Sequence, residues 1–466
     1  MTGKFAKSCA KVLACITLAF FAATAKADEK VPIYLAFILH MHQPIYSPGT
    51  PMSWDYFNAP TDPGSSTSVR QVYDDAGFCY RRPATIVNSH PNAKLTVHFT
   101  GSLIEQLDWL GKNGYSSKGT DIAGIWDDYR AAIKSGRLEM LVGGYYHPIY
   151  PLITQEDAHL QLSKMLAADQ TYFGTQPTGF FPPEIAFDES IIPWLKDAGI
   201  KWSLFDSFHI VGLPNTSKWS KEYTQAAFRP HLAQSGDAKI IMVPREHWLG
   251  QNQSDGFDPN YLIGELAKIE QYNTDPAKPF LVVIASDGDN GWMRQSGGGY
   301  YDWFMTGLLD QLNQPQNSWI KMTTVSDYLN NVYTPSDTIS VERGSWGVGG
   351  AHIDLSTWDS SDLHKQMWAR VAQVRQQLQN AKASDAQMQA AWNYFAMGET
   401  SCYWYWNNTN WAQKSYAALN LALQAAGLQP MPSATLNFPV EEKVQSIAGD
   451  IGATLPQAIP PVPLNQ

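Results

Sequence analysis

Cysteine is scarce in this 466-residue sequence: four in all, of which Cys9 and Cys15 fall in an N-terminal segment that reads as a leader. The other two, Cys79 and Cys402, are too few for a disulfide scaffold or a multi-cysteine zinc site, and their pairing stays open. Charge is sparse as well, at 16% Asp, Glu, Lys and Arg, and it is negative on balance, 33 basic against 43 acidic residues. Such a surface is not built to hold nucleic acid or anionic lipid. After residue 27 no apolar run approaches the about 20 residues of a spanning helix. Gly297-Gly298-Gly299 lacks the Lys-Ser/Thr that would complete a phosphate loop, and no nucleophile-elbow serine is present.

What is there begins with Lys4, Lys7 and Lys11, an apolar run over residues 12–23, and the small residues of Ala25-Lys26-Ala27. Residues 1–27 therefore read as a signal peptide, and the mature chain as secreted or periplasmic. Losing the four lysines of that segment moves the net charge from −10 to −14. Against this sparse charge stand 17 Trp and 22 Tyr. Aromatic faces build cores, and they also stack on bases and sugar rings. With nucleic acid disfavoured by charge, sugar is the working expectation.

Apolar or β-branched runs at 33–39, 94–99, 138–142, 178–181, 201–205, 239–243, 280–285 and 320–324 alternate with helical patterns at 122–134, 154–172, 190–198, 261–272 and 303–312. Alternation of this kind predicts a barrel of parallel βα units over residues 28–335. A different character follows: a Gly-rich stretch at 344–350, then helical patterns at 363–381, 386–397 and 415–426. This predicts a helical region over 336–429. Seven prolines fall in 430–466, which reads as an extended tail.

In such barrels reactive groups gather where strands end. His40-Met41-His42-Gln43-Pro44 ends the first run and Gly143-Gly144-Tyr145-Tyr146-His147-Pro148 follows the third. Pro182-Pro183-Glu184 ends the fourth, Asp206 and His209 follow the fifth, Arg245-Glu246 the sixth, and Ser286-Asp287-Gly288-Asp289-Asn290 the seventh. Two carboxylates on separate strands suit glycosidic bond cleavage, in which one attacks the anomeric carbon or activates water and the other protonates the leaving oxygen. Glu184 and Asp287 are that pair, with Asp289 the rival acid. His40 and His42 are expected on opposite sides of the extended chain, with His42 toward the site. Arg245 and Glu246 read as a surface pair.

The ordered set His42-Gln43-Pro44, Gly143 to Pro148, Phe181-Pro182-Pro183-Glu184 and Asp287-Gly288-Asp289 resembles the successive signature regions of glycoside hydrolase family 57. The segments 94–103, 323–329 and 344–358 resemble further parts of that family, so the likeness covers about residues 31–411. It implies an incomplete (β/α)7 TIM-like barrel, α/β in class, followed by an α-helical region that closes over the cleft. It also implies retaining chemistry on α-glucans, with Glu184 as nucleophile, Asp287 as general acid/base and no cofactor or metal. His42 and His147 would then bond sugar hydroxyls or the nucleophile. Departures from the family pattern, namely Phe181-Pro182-Pro183 before Glu184, His147 where some members carry Glu, and Asn290-Gly291-Trp292 after Asp289, leave bond preference open.

Around this pair, Asp206 and His209 contact substrate or orient one another. Trp292, Trp358 and the run Cys402-Tyr403-Trp404-Tyr405-Trp406 are sugar platforms or packing, and Glu399 is a candidate cleft residue from the helical region. The expected partner is an α-glucan or maltooligosaccharide. Hydrolysis is the first reading, and 4-α-glucan transfer or branching uses the same residues. A metal-dependent deacetylase drawing on His40, His42, His147 and Asp287, or a non-catalytic sugar-binding protein, would be a different class.

Overall fold

Successive residues of a strand face opposite sides of a sheet, and here the inward set is apolar along its length and polar at its last position. Ala36 and Ile38 lead to His40, Leu281, Val283 and Ala285 to Asp287, Trp202 and Leu204 to Asp206, and Val243 to Arg245. Their apolar members share one buried cluster. The strands that carry them are, in chain order, β1 (Ile33–Met41), β2 (Leu95–Phe99), β3 (Leu138–Leu141), β4 (Gly179–Phe180), β5 (Trp202–Asp206), β6 (His231–Ser235), β7 (Ala238–Arg245), β8 (Leu281–Asp287) and β9 (Ile320–Met322). The computed structural model describes residues 30–213, 218–253, 258–289, 299–347 and 353–432. The expected leader lies outside these residues, as does nearly all of the proline-rich tail.

Seven of the strands run parallel around a barrel. β1 pairs with β8 on one side and β2 on the other, and β2 pairs with β3. A single parallel bridge, Val142 to Phe180, carries the ring from β3 to β4. β4 then pairs with β5 and β5 with β7, and Glu246 N–H donates to Val283 O at 2.9 Å to close β7 onto β8. The predicted run at 178–181 keeps only two ladder residues, because Pro182 and Pro183 cannot donate to a ladder. β9 adds beside the first residues of β1, and β6, not foreseen from the sequence, folds back antiparallel on β7.

Helices cover the strands as predicted at 154–172, where Thr154 caps α1 (Gln155–Tyr172) by accepting from Asp157 N–H. The helix Gly101–Lys112 has no side-chain cap and escaped the sequence reading. The helical region contributes α2 (Asp362–Gln379), α3 (Asp385–Gly398) and α4 (Thr409–Ala425), the last starting six residues before its predicted bound because Asn408 caps it. Barrel and helical region belong to one compact unit ending at Gln429. Among the described residues no helix is long and apolar enough to cross a membrane.

Candidate active site

Parallel register sets the polar strand ends at one height. His40 is level with His98 of β2 and with Asp287 of β8, and Asp206 is level with Arg245. The rest of the cluster comes from the loops that follow these ends.

Four histidines form a stacked column. His42 lies on His147 with ring centres 4.0 Å apart and planes 17° off parallel, and His147 lies on His40 at 4.8 Å. His40 and His98 stack at 5.0 Å and share a 2.8 Å Nδ1–Nδ1 hydrogen bond, with Phe181 against both. The expected placement of His40 and His42 on opposite sides is overturned: residues two apart along an extended chain share a side, and His42 joins the same column as His40. Burial drives every member toward the neutral form. His42 and His98 are pushed down to about 3, while His40 and His147 fall well below the usual value, first by desolvation and then by their imidazole neighbours. A neutral column can donate and accept hydrogen bonds without adding charge. Gly143 is required beside it, since a Cβ there would lie 2.4 Å from His98 Nε2.

Glu184 sits at φ 59° and Ile185 at φ 50°, directly after two prolines. Bonds from Ile185 N–H to Pro182 O at 2.7 Å and from Trp346 N–H to Glu184 O at 3.2 Å hold this turn. The Glu184 carboxylate accepts from Trp346 Nε1 at 3.0 Å and lies 3.8 Å from His147 Nδ1. Burial raises its pKa to about 7, against the hydrogen bonds from Trp346 and Ser401. Asp287 is raised well above the ordinary carboxylate value, by burial first, then by the negative charges of Asp289 and Glu184, with Arg245 opposing. Asp289 accepts from Gln43 Nε2 at 3.0 Å and Tyr80 OH at 3.2 Å and is pushed up to about 6, chiefly by burial.

Arg245 and Glu246 are buried, not the surface pair expected. Arg245 donates to Asp206 at 2.6 Å and to Ala285 O at 3.0 Å, and lies over the Trp346 ring at 5.4 Å. Asp206 also accepts from His247 at 2.9 Å, while His209 bonds Ser345 O at 2.8 Å, so these two do not orient one another. Glu246 accepts from Tyr223 OH at 2.5 Å and from Leu249 N–H at 2.6 Å, which ties down the loop beyond β7.

One loop of the helical region reaches the histidine column. Ser401 N–H donates to His147 O at 3.0 Å, and the Ser401 hydroxyl meets His147 Nδ1 at 2.8 Å. Cys402 Sγ lies 3.2 Å from His42 Nε2 and, like Cys79, is a free thiol. The Tyr405 phenol is pushed up, by burial first and then by the charges of Glu184 and Asp287. Two residues expected at the cleft are buried here. Trp358 is fully buried, its carbonyl bonded by Trp368, and offers no platform. Glu399 is buried 3.6 Å from Arg375, which opposes a burial-driven rise in its pKa to about 8. Within the aromatic run, Tyr403 and Trp404 are core, whereas Tyr405 and Trp406 are half-buried. Trp292 lies outside the described residues. His98, Trp346 and Ser401 were not singled out from the sequence; His98 was findable, since it lies at the penultimate position of the predicted run 94–99.

For a metal centre, ligand nitrogens must converge, and stacked parallel rings set theirs side by side. Among the described residues no group of three His, Cys, Asp or Glu is placed to hold a metal ion.

The family described as glycosyl hydrolase family 57 matches residues 36–342. The 4-alpha-glucanotransferase of Thermococcus litoralis is 26% identical over 298 residues, 62% of this chain and 39% of that protein. Its crystal structure superposes with a TM-score of 0.63 at 19% identity, over 84% of this chain and 60% of the other. An alpha-amylase of Pyrococcus horikoshii is 28% identical over 38% of this chain and 24% of its own length. A GH57-type branching enzyme from the same organism gives a TM-score of 0.61 at 15% identity, over 84% and 88% of the two chains. The chain thus spans well under half the length of these two sequence relatives, and the structural likenesses establish the (β/α)7 fold.

Proposed function

Because the chain belongs to glycosyl hydrolase family 57, we propose that it is a retaining glycosidase of α-glucans that hydrolyses α-1,4 bonds. Glu184 attacks the anomeric carbon as the bond to the leaving oxygen breaks, and Asp287 gives that oxygen its proton. The glycosyl-enzyme ester then yields to water as Asp287 takes a proton back, and Glu184 leaves as carboxylate. The observation that carries this reading is geometric: Asp287, level with His40 at the end of β8, and Glu184, beside His147 after β4, meet at one buried histidine column. Burial first, then the charges of Asp289 and Glu184, raises Asp287, which suits the proton donor. The relatives' names, a 4-alpha-glucanotransferase and an alpha-amylase, supply the substrate class.

Transfer to a sugar hydroxyl is the second reading, favoured by the name of the Thermococcus relative. Product analysis on maltoheptaose tests both. Shorter maltodextrins that vanish in Glu184→Gln and survive EDTA support hydrolysis, and longer products support transfer. Loss of activity in EDTA with recovery in Zn²⁺ would overturn the carboxylate mechanism. The proposal includes export, checked by finding Asp28 at the N-terminus of the periplasmic or secreted protein.

A further inference from the structure

A groove of about 630 Å³ runs between α1 and the helices α2 and α3, and none of its lining residues belongs to the carboxylate cluster. Its volume is that of a small-molecule site. One wall carries Trp392, half-buried and held edge-to-face against Phe395 at 5.3 Å. Around it stand the amides of Gln379, Gln389 and Asn393. Two cations line the groove, and both are already engaged. Arg375 is ion-paired with Asp157. Lys164 donates to Asn393 Oδ1 at 3.3 Å and lies 4.3 Å above the Tyr145 ring. Glu156 balances the remaining charge, so two basic and two acidic side chains face the space.

A phosphate or a peptide carboxylate would have to break the Arg375–Asp157 pair. A neutral polyhydroxyl ligand would not: it needs an aromatic face for its C–H surface and paired donors and acceptors for its hydroxyls, which are what the indole and the amides provide. We propose that this groove is a second, non-catalytic site for an α-glucan chain, with Trp392 as the platform. It rests on the substrate class proposed above and adds a way to hold a long glucan while the carboxylates act on another part of it.

Calorimetric titration of full-length Glu184→Gln with maltoheptaose tests the proposal. Two molecules bound per chain are expected, falling to one when Trp392→Ala is added. In the otherwise unaltered enzyme, Trp392→Ala should raise KM on soluble starch about tenfold, roughly the loss of one aromatic platform, and leave maltotriose turnover unchanged. Gln389→Ala, at an exposed position, serves as a second variant should Trp392→Ala fold poorly, and should weaken only the second binding event. One molecule per chain, insensitive to both groove variants while turnover is normal, would overturn the second site and leave the proposed activity standing. No maltoheptaose bound by any variant would overturn both.

Discussion

His147 Nδ1 lies 3.8 Å from Glu184 Oε1, and both residues hold left-handed backbone, at φ 60° and 59°. That region disfavours side chains with a Cβ, and each such residue costs roughly 1–3 kcal/mol. Two strained residues in contact, on loops after different strands, mark the point where the barrel gives up local comfort to fix side-chain direction. Ser401 N–H on His147 O and Trp346 N–H on Glu184 O supply the restraint.

Replacing Glu184 with Gln should remove activity and strengthen the fold at high pH. Its folded pKa, about 7, lies above the ordinary 4.5 because burial disfavours the anion. The native state therefore holds the proton more tightly than the unfolded chain, and stability falls as pH rises from 4.5 through 7. With a side chain only 16% exposed, the penalty is about 2–3 kcal/mol at pH 8. Urea unfolding of both proteins should give nearly equal stabilities at pH 4 and a more stable variant at pH 8. An equal gap at both values would refute the burial account.

Trp346→Phe should shift the acidic limb of the pH–rate profile upward. It removes the 3.0 Å N–H bond that favours ionised Glu184, so the carboxyl keeps its proton to higher pH. A hydrogen bond to a charged group is worth about 1.5–3 kcal/mol, so kcat/KM at pH 6 should fall roughly tenfold or more. The Phe ring preserves an aromatic face under Arg245. An unmoved limb would mean that Glu184 ionisation does not govern it.

On the basic side, Asp289→Asn should move the limb to lower pH. The Asp289 charge helps hold the Asp287 proton, and its removal lowers the Asp287 pKa. Asp287→Asn should reduce turnover about 10²–10⁴-fold, the range for loss of a general acid/base. Should Asp289→Asn instead abolish activity with Asp287→Asn near normal, the acid/base role belongs to Asp289.

Arg245→Met should cost about 3–5 kcal/mol of stability, because it strands the fully buried Asp206 charge beside His247. Adding Asp206→Asn should recover part of the loss. A double-mutant cycle by denaturant unfolding gives the coupling, and a value near zero would show that the pair does not hold the strand ends together.

Much of this arrangement is legible along the chain. Apolar runs with a polar last residue give the strands, and the rule that reactive groups sit beyond strand ends brings Glu184, Asp287, His42 and His147 forward. The reading falters in two places. His40 and His42, two apart, share a side as an extended chain requires, not the opposite sides expected, and Arg245, charged and next to Glu246, looks like a surface residue until its partner on β5 is known. Trp358 and Glu399 sit in aromatic or loop-rich sequence that reads equally as cleft or as core, and the fold buries both.

Spacing along the backbone dictates which side of a strand each residue faces. That was enough to set most of the strands and the polar residues delivered to one end of the barrel, while the ordered motifs carried the likeness to the family. Which of those groups meet was left to the folded chain: the histidine column, the Asp206–Arg245 pair, the Trp346 bond to Glu184 across 162 positions and the Ser401 bond to His147 across 254. Those contacts, and the burial that neutralises the histidines and raises the carboxyls, depend on which distant segment covers each strand end. No local periodicity carries that information.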